Sequence, residues 1–140
     1  MLELDKQYVD EMVAHALEDD PNECCGFIVG QQGRAVRLHR MTNTVASPYR
    51  YDMDPKEVYG VLKEARENGW DPDPLVIYHS HTHSPAYPSA TDVRTATWDG
   101  VSTWPDTYYV LVSLMGHDNP SVRVFKITDG EITEGELRVV

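Results

Sequence analysis

The sequence predicts a single α+β domain over residues 1–140, in which helices flank a mixed, curved β-sheet. Three observations carry that expectation. Segments of helical period alternate with apolar runs too short to be helices. Glycine-containing turns join neighbouring runs into hairpins. A chain of 140 residues that is 41% hydrophobic buries one core and gives no sign of a second.

From Asp5 to Asp20, Tyr8, Val9, Met12, Val13, Ala16 and Leu17 recur at helical spacing, and Pro21 ends the pattern. Residues 25–30 form a short apolar strand. Gln31-Gln32-Gly33 makes a turn, and Arg34 to Met41 a second strand with Val36 and Leu38 on one face, so the pair reads as a hairpin. A polar stretch, Thr42 to Arg50, and a brief extended segment, Tyr51 to Met53, lead to a second helix. That helix opens with an Asp54 cap, Pro55 at the first position and a Glu57 carboxylate at the third, and Gly69 closes it.

Two prolines between Asp71 and Pro74 lead into a buried strand, Leu75 to Tyr78, which delivers His79 and His81 at its end. Pro85 and Pro88 break the strand. Ser89 with Asp92 then starts a third helix that runs through Val93, Ala96 and Trp98. The Gly- and Pro-punctuated stretch Asp99 to Asp106, carrying Trp104, reads as a flexible loop near the site. Strands at Thr107 to Leu114, Ser121 to Thr128 and Glu131 to Val139 follow, the last two joined by an Asp129-Gly130 turn.

The chemistry lies in His79-x-His81-x7-Ser89-x2-Asp92. On an extended strand His79 and His81 project to one face and offer two imidazole nitrogens to one ion. Asp92 supplies a third ligand, which leaves a fourth tetrahedral position for water, the mark of a catalytic rather than a structural zinc. Taken singly, each part has a plainer reading: Ser89 and Asp92 as a helix cap, the histidines as an exposed strand edge. The joint pattern arises by chance in roughly one chain in a thousand, which favours the metal. His83 continues the alternation, but with Asp92 completing the set it falls to contact with substrate or solvent.

These residues resemble the signature of the JAMM (MPN-plus) zinc metalloproteases, in which a distant upstream Glu precedes His-x-His-x7-Ser-x2-Asp. Here the upstream residue is Glu23, in Glu23-Cys24-Cys25-Gly26 before an apolar strand. The likeness extends over nearly the whole chain through Met41-Thr42-Asn43, Ser47-Pro48, Tyr51 to Asp54, Tyr108 to Ser113 and Ile127 to Gly130. Among family members the chain is most similar to short bacterial forms, including hydrolases that release cysteine from the C-terminus of a ubiquitin-like sulfur-carrier protein. The resemblance implies the MPN fold, one zinc ion per chain and hydrolysis of a peptide or isopeptide bond after the carrier's C-terminal Gly-Gly. It implies Glu23 as general base, a role that an acid after a helix-ending proline would not suggest alone, and Ser89 as oxyanion donor. Tyr87 and Pro88 would line the groove on the leaving side. Cys25, at i, i+2 from Glu23, would turn its thiol toward the site, and Cys24 would face away.

Twenty-three acids against twelve bases give a net charge of −11 with no basic stripe, which argues against nucleic acid as a partner. No apolar stretch reaches membrane-spanning length and the start lacks a secretory signal, so a soluble cytoplasmic protein is expected, with room for a homodimer. The two cysteines are adjacent, which fits a reducing compartment. A nucleobase deaminase would need His-x-Glu and Pro-Cys-x-x-Cys, and neither occurs. The competing functions are a metal-free interaction scaffold, against which the intact ligand set argues, and a small-molecule amidohydrolase.

Overall fold

The computed structural model describes residues 1–98 and 100–140; the expectations placed on Asp99 and on the Trp98 side chain lie outside the described residues. Chain order is β1 (Leu2–Leu4), α1 (Lys6–Asp19), β2 (Cys25–Gln31), β3 (Arg34–Met41), α2 (Pro55–Glu67), β4 (Val76–His81), α3 (Ala90–Ala96), β5 (Thr97–Trp98), β6 (Val101–Ser102), β7 (Tyr108–Ser113), β8 (Ser121–Thr128), β9 (Glu131–Glu134) and β10 (Leu137–Val139). Six strands form one mixed sheet in the order β3-β2-β4-β7-β8-β9. Only β4 and β7 run parallel within it; the other neighbours are antiparallel. The α+β expectation holds.

Each helix starts where its sequence directs. Asp54 accepts from the Lys56 N–H at 2.8 Å and caps α2, with Pro55 at the first position and Glu57 in the first turn. Ser89 and Asp92 close a reciprocal capping box on α3: Ser89 Oγ accepts from Asp92 N–H and Asp92 Oδ2 accepts from Ser89 N–H. The helix-cap reading of this pair is therefore realised, in the same residues that the metal reading needs.

The sheet separates two apolar clusters. On one face Met12 and Ala16 of α1 pack with Ile28, Val76, Tyr78, Val110 and Val124. On the other, Val61 and Ala65 of α2 and Ala96 of α3 pack with Phe27, Ile77, Leu111 and Phe125. The Gln32-Gly33 and Asp129-Gly130 turns both have positive φ at two successive residues, the conformation that a two-residue hairpin requires. Gly26 lies in register with Tyr78, and a β-carbon there would sit 2.3 Å from the tyrosine ring, so only glycine lets that ring cross the neighbouring strand.

Four features differ from the sequence expectation. Helix α3 stops at Ala96, and Thr97–Trp98 pairs with β6 instead of continuing the helix. Both histidines lie inside β4, which extends to His81 rather than stopping at Tyr78. The final strand breaks after Glu134, and β10 turns away to pair in parallel with β1, a strand whose three residues were too few to show a pattern. The stretch after Gly100 is anchored rather than flexible. Ser102 Oγ donates to the Ile127 carbonyl at 2.8 Å, Ser102 N–H donates to Asp129, and Trp104 packs edge-on against Phe27. No helix among the described residues is long and apolar enough to cross a membrane.

Candidate metal centre and active site

Strand β4 and the cap of α3 bring three donor atoms to one point. His79 Nε2 and His81 Nε2 are 3.3 Å apart, and Asp92 Oδ2 lies 3.1 Å from the first and 2.9 Å from the second. All three residues are buried. A tetrahedral zinc with ligands at 2.0–2.1 Å places its donors about 3.3 Å apart, so the spacing and the two-imidazole, one-carboxylate chemistry both fit such an ion.

The two imidazoles are held differently from behind. His81 Nδ1–H donates to the Pro85 carbonyl at 2.8 Å, which directs the Nε2 lone pair to the shared point. His79 is held by stacking: the Tyr51 ring lies 4.5 Å away at 30°, while His79 Nδ1 is buried without a hydrogen-bond partner. The charges are mutually dependent. Burial works to raise the Asp92 carboxyl, but His79, His81 and the Ser89 N–H overcome it and hold it well below the usual carboxylate range. Burial likewise opposes a charged His81, and the Asp92 and Pro85 oxygens outweigh it and raise that imidazole. A cluster so arranged attracts positive charge.

Glu23 enters from the segment before β2. Its N–H donates to the Ser47 carbonyl at 2.9 Å and its own carbonyl accepts from the Asn43 side chain at 3.0 Å, so the loop between β3 and α2 positions it. The residue is 4% exposed and Oε1 has no partner. Burial pushes its carboxyl up to about 8; His81 pulls the other way and Asp92 adds to the rise. A buried carboxyl without a partner is costly in a purely structural role, on the order of 1–3 kcal/mol, and this one feels the charges of His81 and Asp92.

The remaining expected residues are placed as follows. Ser89 is exposed at the α3 cap, its Oγ already accepting from Asp92 N–H, which leaves its own proton to donate. His83 is exposed and stands outside the three-donor group. Tyr87 is half exposed and packs edge-on against Phe125, whereas Pro88 is buried. Cys25 is in register with His79 on the site's face, with its thiol directed to the Met41 carbonyl at 4.0 Å; Cys24 joins the opposite cluster. Burial raises both thiols, Cys24 to about 12. Tyr51 is a site residue to which no role was given in sequence; its only signal was its place among the landmark positions. It also lines an apolar cavity of about 130 Å³ with Met53, Trp104 and Tyr109.

A buried donor triad on a strand-loop-helix unit, with an upstream buried glutamate, fits a metal-dependent hydrolase centre, and comparison with known proteins gives the family. Residues 5–128 match the family described as prokaryotic homologs of the JAB domain, and the chain belongs to that family. It is 44% identical over 134 residues to a CysO-cysteine peptidase of Mycobacterium tuberculosis, an alignment covering 94% of this chain and 86% of that protein. It is 40% identical over 98 residues to a desampylase of Haloferax volcanii, covering 65% and 69% respectively. A solution structure from Desulfitobacterium hafniense superposes with a TM-score of 0.84 at 33% identity, over 100% of this chain and 93% of that one. The chain is a hydrolytic enzyme of the JAMM type.

Proposed function

We propose that the chain is a zinc-dependent peptidase that hydrolyses the bond after the C-terminal Gly-Gly of a ubiquitin-like sulfur-carrier protein in the cytoplasm, releasing cysteine or a short extension. The observation that carries this is the convergence of His79, His81 and Asp92 beside a buried, unpartnered Glu23. Relatives described as a CysO-cysteine peptidase and a desampylase support the substrate class. His79, His81 and Asp92 would hold one zinc ion, which when bound supplies a Lewis acid for the scissile carbonyl and an acidified water.

The residues of the chain divide the rest of the work. Glu23 takes the proton of the attacking water at its Oε1 and returns it to the leaving amine, a task for which a carboxyl in a desolvated position is suited. Ser89, with its oxygen fixed by Asp92 N–H, donates its hydroxyl proton to the developing oxyanion. Asn43 and Ser47 keep the Glu23 backbone in place. Burial of the triad keeps bulk water from the donors.

The test is mass spectrometry of a carrier ending in Gly-Gly-Cys incubated with enzyme whose zinc content has been measured. The expected result is zinc at about one ion per chain and a product lighter by one cysteine residue. A zinc-loaded enzyme that leaves every Gly-Gly-extended carrier intact but hydrolyses small amides would instead be an amidohydrolase.

A further inference from the structure

The row of the sheet that carries His79 continues over two more strands. His79 is in register with Leu111 of β7, and Leu111 with Arg123 of β8. Residues paired in this way project to one face. Leu111 and Phe125 pack in the cluster on the site's side of the sheet, so Arg123, two residues from Phe125, projects to that side as well. Two strand spacings place it about 10 Å from His79, backbone to backbone.

The surroundings of Arg123 hold it still. Its guanidinium lies 5.2 Å from the Phe125 ring centre and 5.9 Å from that of Tyr87, the residue two before Ser89. Glu134 takes the Nε and Nη2 hydrogens in a side-on pair at 2.9 and 2.6 Å. Nη1 makes no hydrogen bond among the described residues, and the side chain is 35% exposed. An exposed arginine-glutamate pair adds little stability by itself. A guanidinium lying beside two rings that are themselves packed edge to face, and gripped on one edge with its Nη1 unbonded in a chain of net charge −11, is arranged as an anion receptor.

We propose that Arg123 reads the free α-carboxylate of a one-residue C-terminal extension and so sets the leaving-group specificity of the enzyme. This rests on the substrate reading given above. In such an extension the carboxylate carbon is two bonds from the scissile nitrogen, about 2.5 Å away, and one residue plus an arginine side chain span the distance from the donor triad to β8. The planar fork of the guanidinium matches a carboxylate, and Glu134, which holds Nε and Nη2, leaves Nη1 for it. A lysine isopeptide offers no carboxylate at that distance, because the leaving amine is followed by a methylene chain.

Two semisynthetic substrates test the idea: a carrier ending in Gly-Gly-Cys with a free carboxylate, and the same carrier ending in the carboxamide. The wild type should favour the acid by about ten- to hundredfold in kcat/KM, mainly through KM. Arg123→Gln should lower the acid to the level of the amide while leaving the amide rate within about twofold, and Arg123→Lys should restore part of the preference. Equal cleavage of acid and amide by the wild type overturns the proposal, and does so without any variant. A parallel loss on both substrates in Arg123→Gln assigns the residue to packing under Tyr87 and overturns it too. Failure of the zinc-loaded wild type to cut either substrate refutes the substrate reading itself, and the role of Arg123 falls with it.

Discussion

On the α1 face of β4 the buried polar groups close on one another. The Tyr78 hydroxyl donates to His15 Nδ1 at 2.7 Å, His15 Nε2–H faces the Asp19 carboxylate at 3.2 Å, and Ser80 Oγ accepts the Cys24 N–H at 2.8 Å. Burial lowers His15, which keeps the ring neutral, as one donor and one acceptor require. On the α3 face of the same strand His79 and His81 are buried to a similar degree, yet three donors crowd one point while Glu23 Oε1 and His79 Nδ1 lack partners. Burial alone therefore does not distinguish structural from functional polar residues. Closure does: a satisfied network fixes packing, and a convergent set with unmet valence is built for something brought from outside.

The comparison breaks most sharply at His81. His81→Ala removes one of the three donors, and metal content should fall to background with turnover undetectable; elemental analysis and the carrier assay read both. A variant that keeps a full complement of metal would show that the triad is not the site. Glu23→Gln should keep metal and lose at least a hundredfold in kcat, because the amide occupies the same space and relays no proton. Near-normal turnover in a metal-loaded variant removes Glu23 from the role of base.

Glu23 also leaves a thermodynamic trace. In chelator-treated protein its carboxyl is raised from 4.5 to about 8, so the folded chain holds a proton that the unfolded chain releases across that window. Its contribution is greatest below pH 4.5 and is lost as pH rises toward 8. His81 is raised too and gives the same sign, so the difference between wild type and Glu23→Gln isolates Glu23. Urea midpoints at pH 5 and pH 8 should converge more in the variant than in the wild type, and identical slopes would contradict the buried carboxyl. The smallest effect belongs to the closed face. Tyr78→Phe strands His15 Nδ1 and should cost about 1–3 kcal/mol of stability by urea unfolding, with metal content and turnover of the folded enzyme unchanged.

The sequence revealed what is local. Two histidines at i, i+2 share a face wherever the chain is extended, and Ser-x-x-Asp is a cap that needs no distant partner, so the spacing alone set three donors near each other. The bounds of α1 and α2 followed from period, proline and cap, and α1 ends within a residue of the expected Asp5 to Asp20. What sequence could not show depends on pairing across long separations. Glu23 stands two residues before Cys25, which faces His79 because β2 runs antiparallel to β4, and only the family resemblance pointed to it. The stacking of Tyr51 on His79 depends on a loop with one isolated bridge, Asn43 to Met53, and the parallel pairing of β1 with β10 joins opposite ends of the chain. Three-residue strands carry no readable period.

Asp92 turns to the two histidines the same oxygen that accepts the Ser89 N–H. An ancestor losing its activity would therefore meet unequal paths at this position. Alanine keeps its own N–H on Ser89 Oγ but discards the return bond to the Ser89 N–H along with the charge, at about 1 kcal/mol. Asparagine keeps a carbonyl oxygen for Ser89 and gives up only the anion. Descent from protease to inert binding module thus has a gentle first step, one letter wide, that leaves the architecture standing after the chemistry has gone.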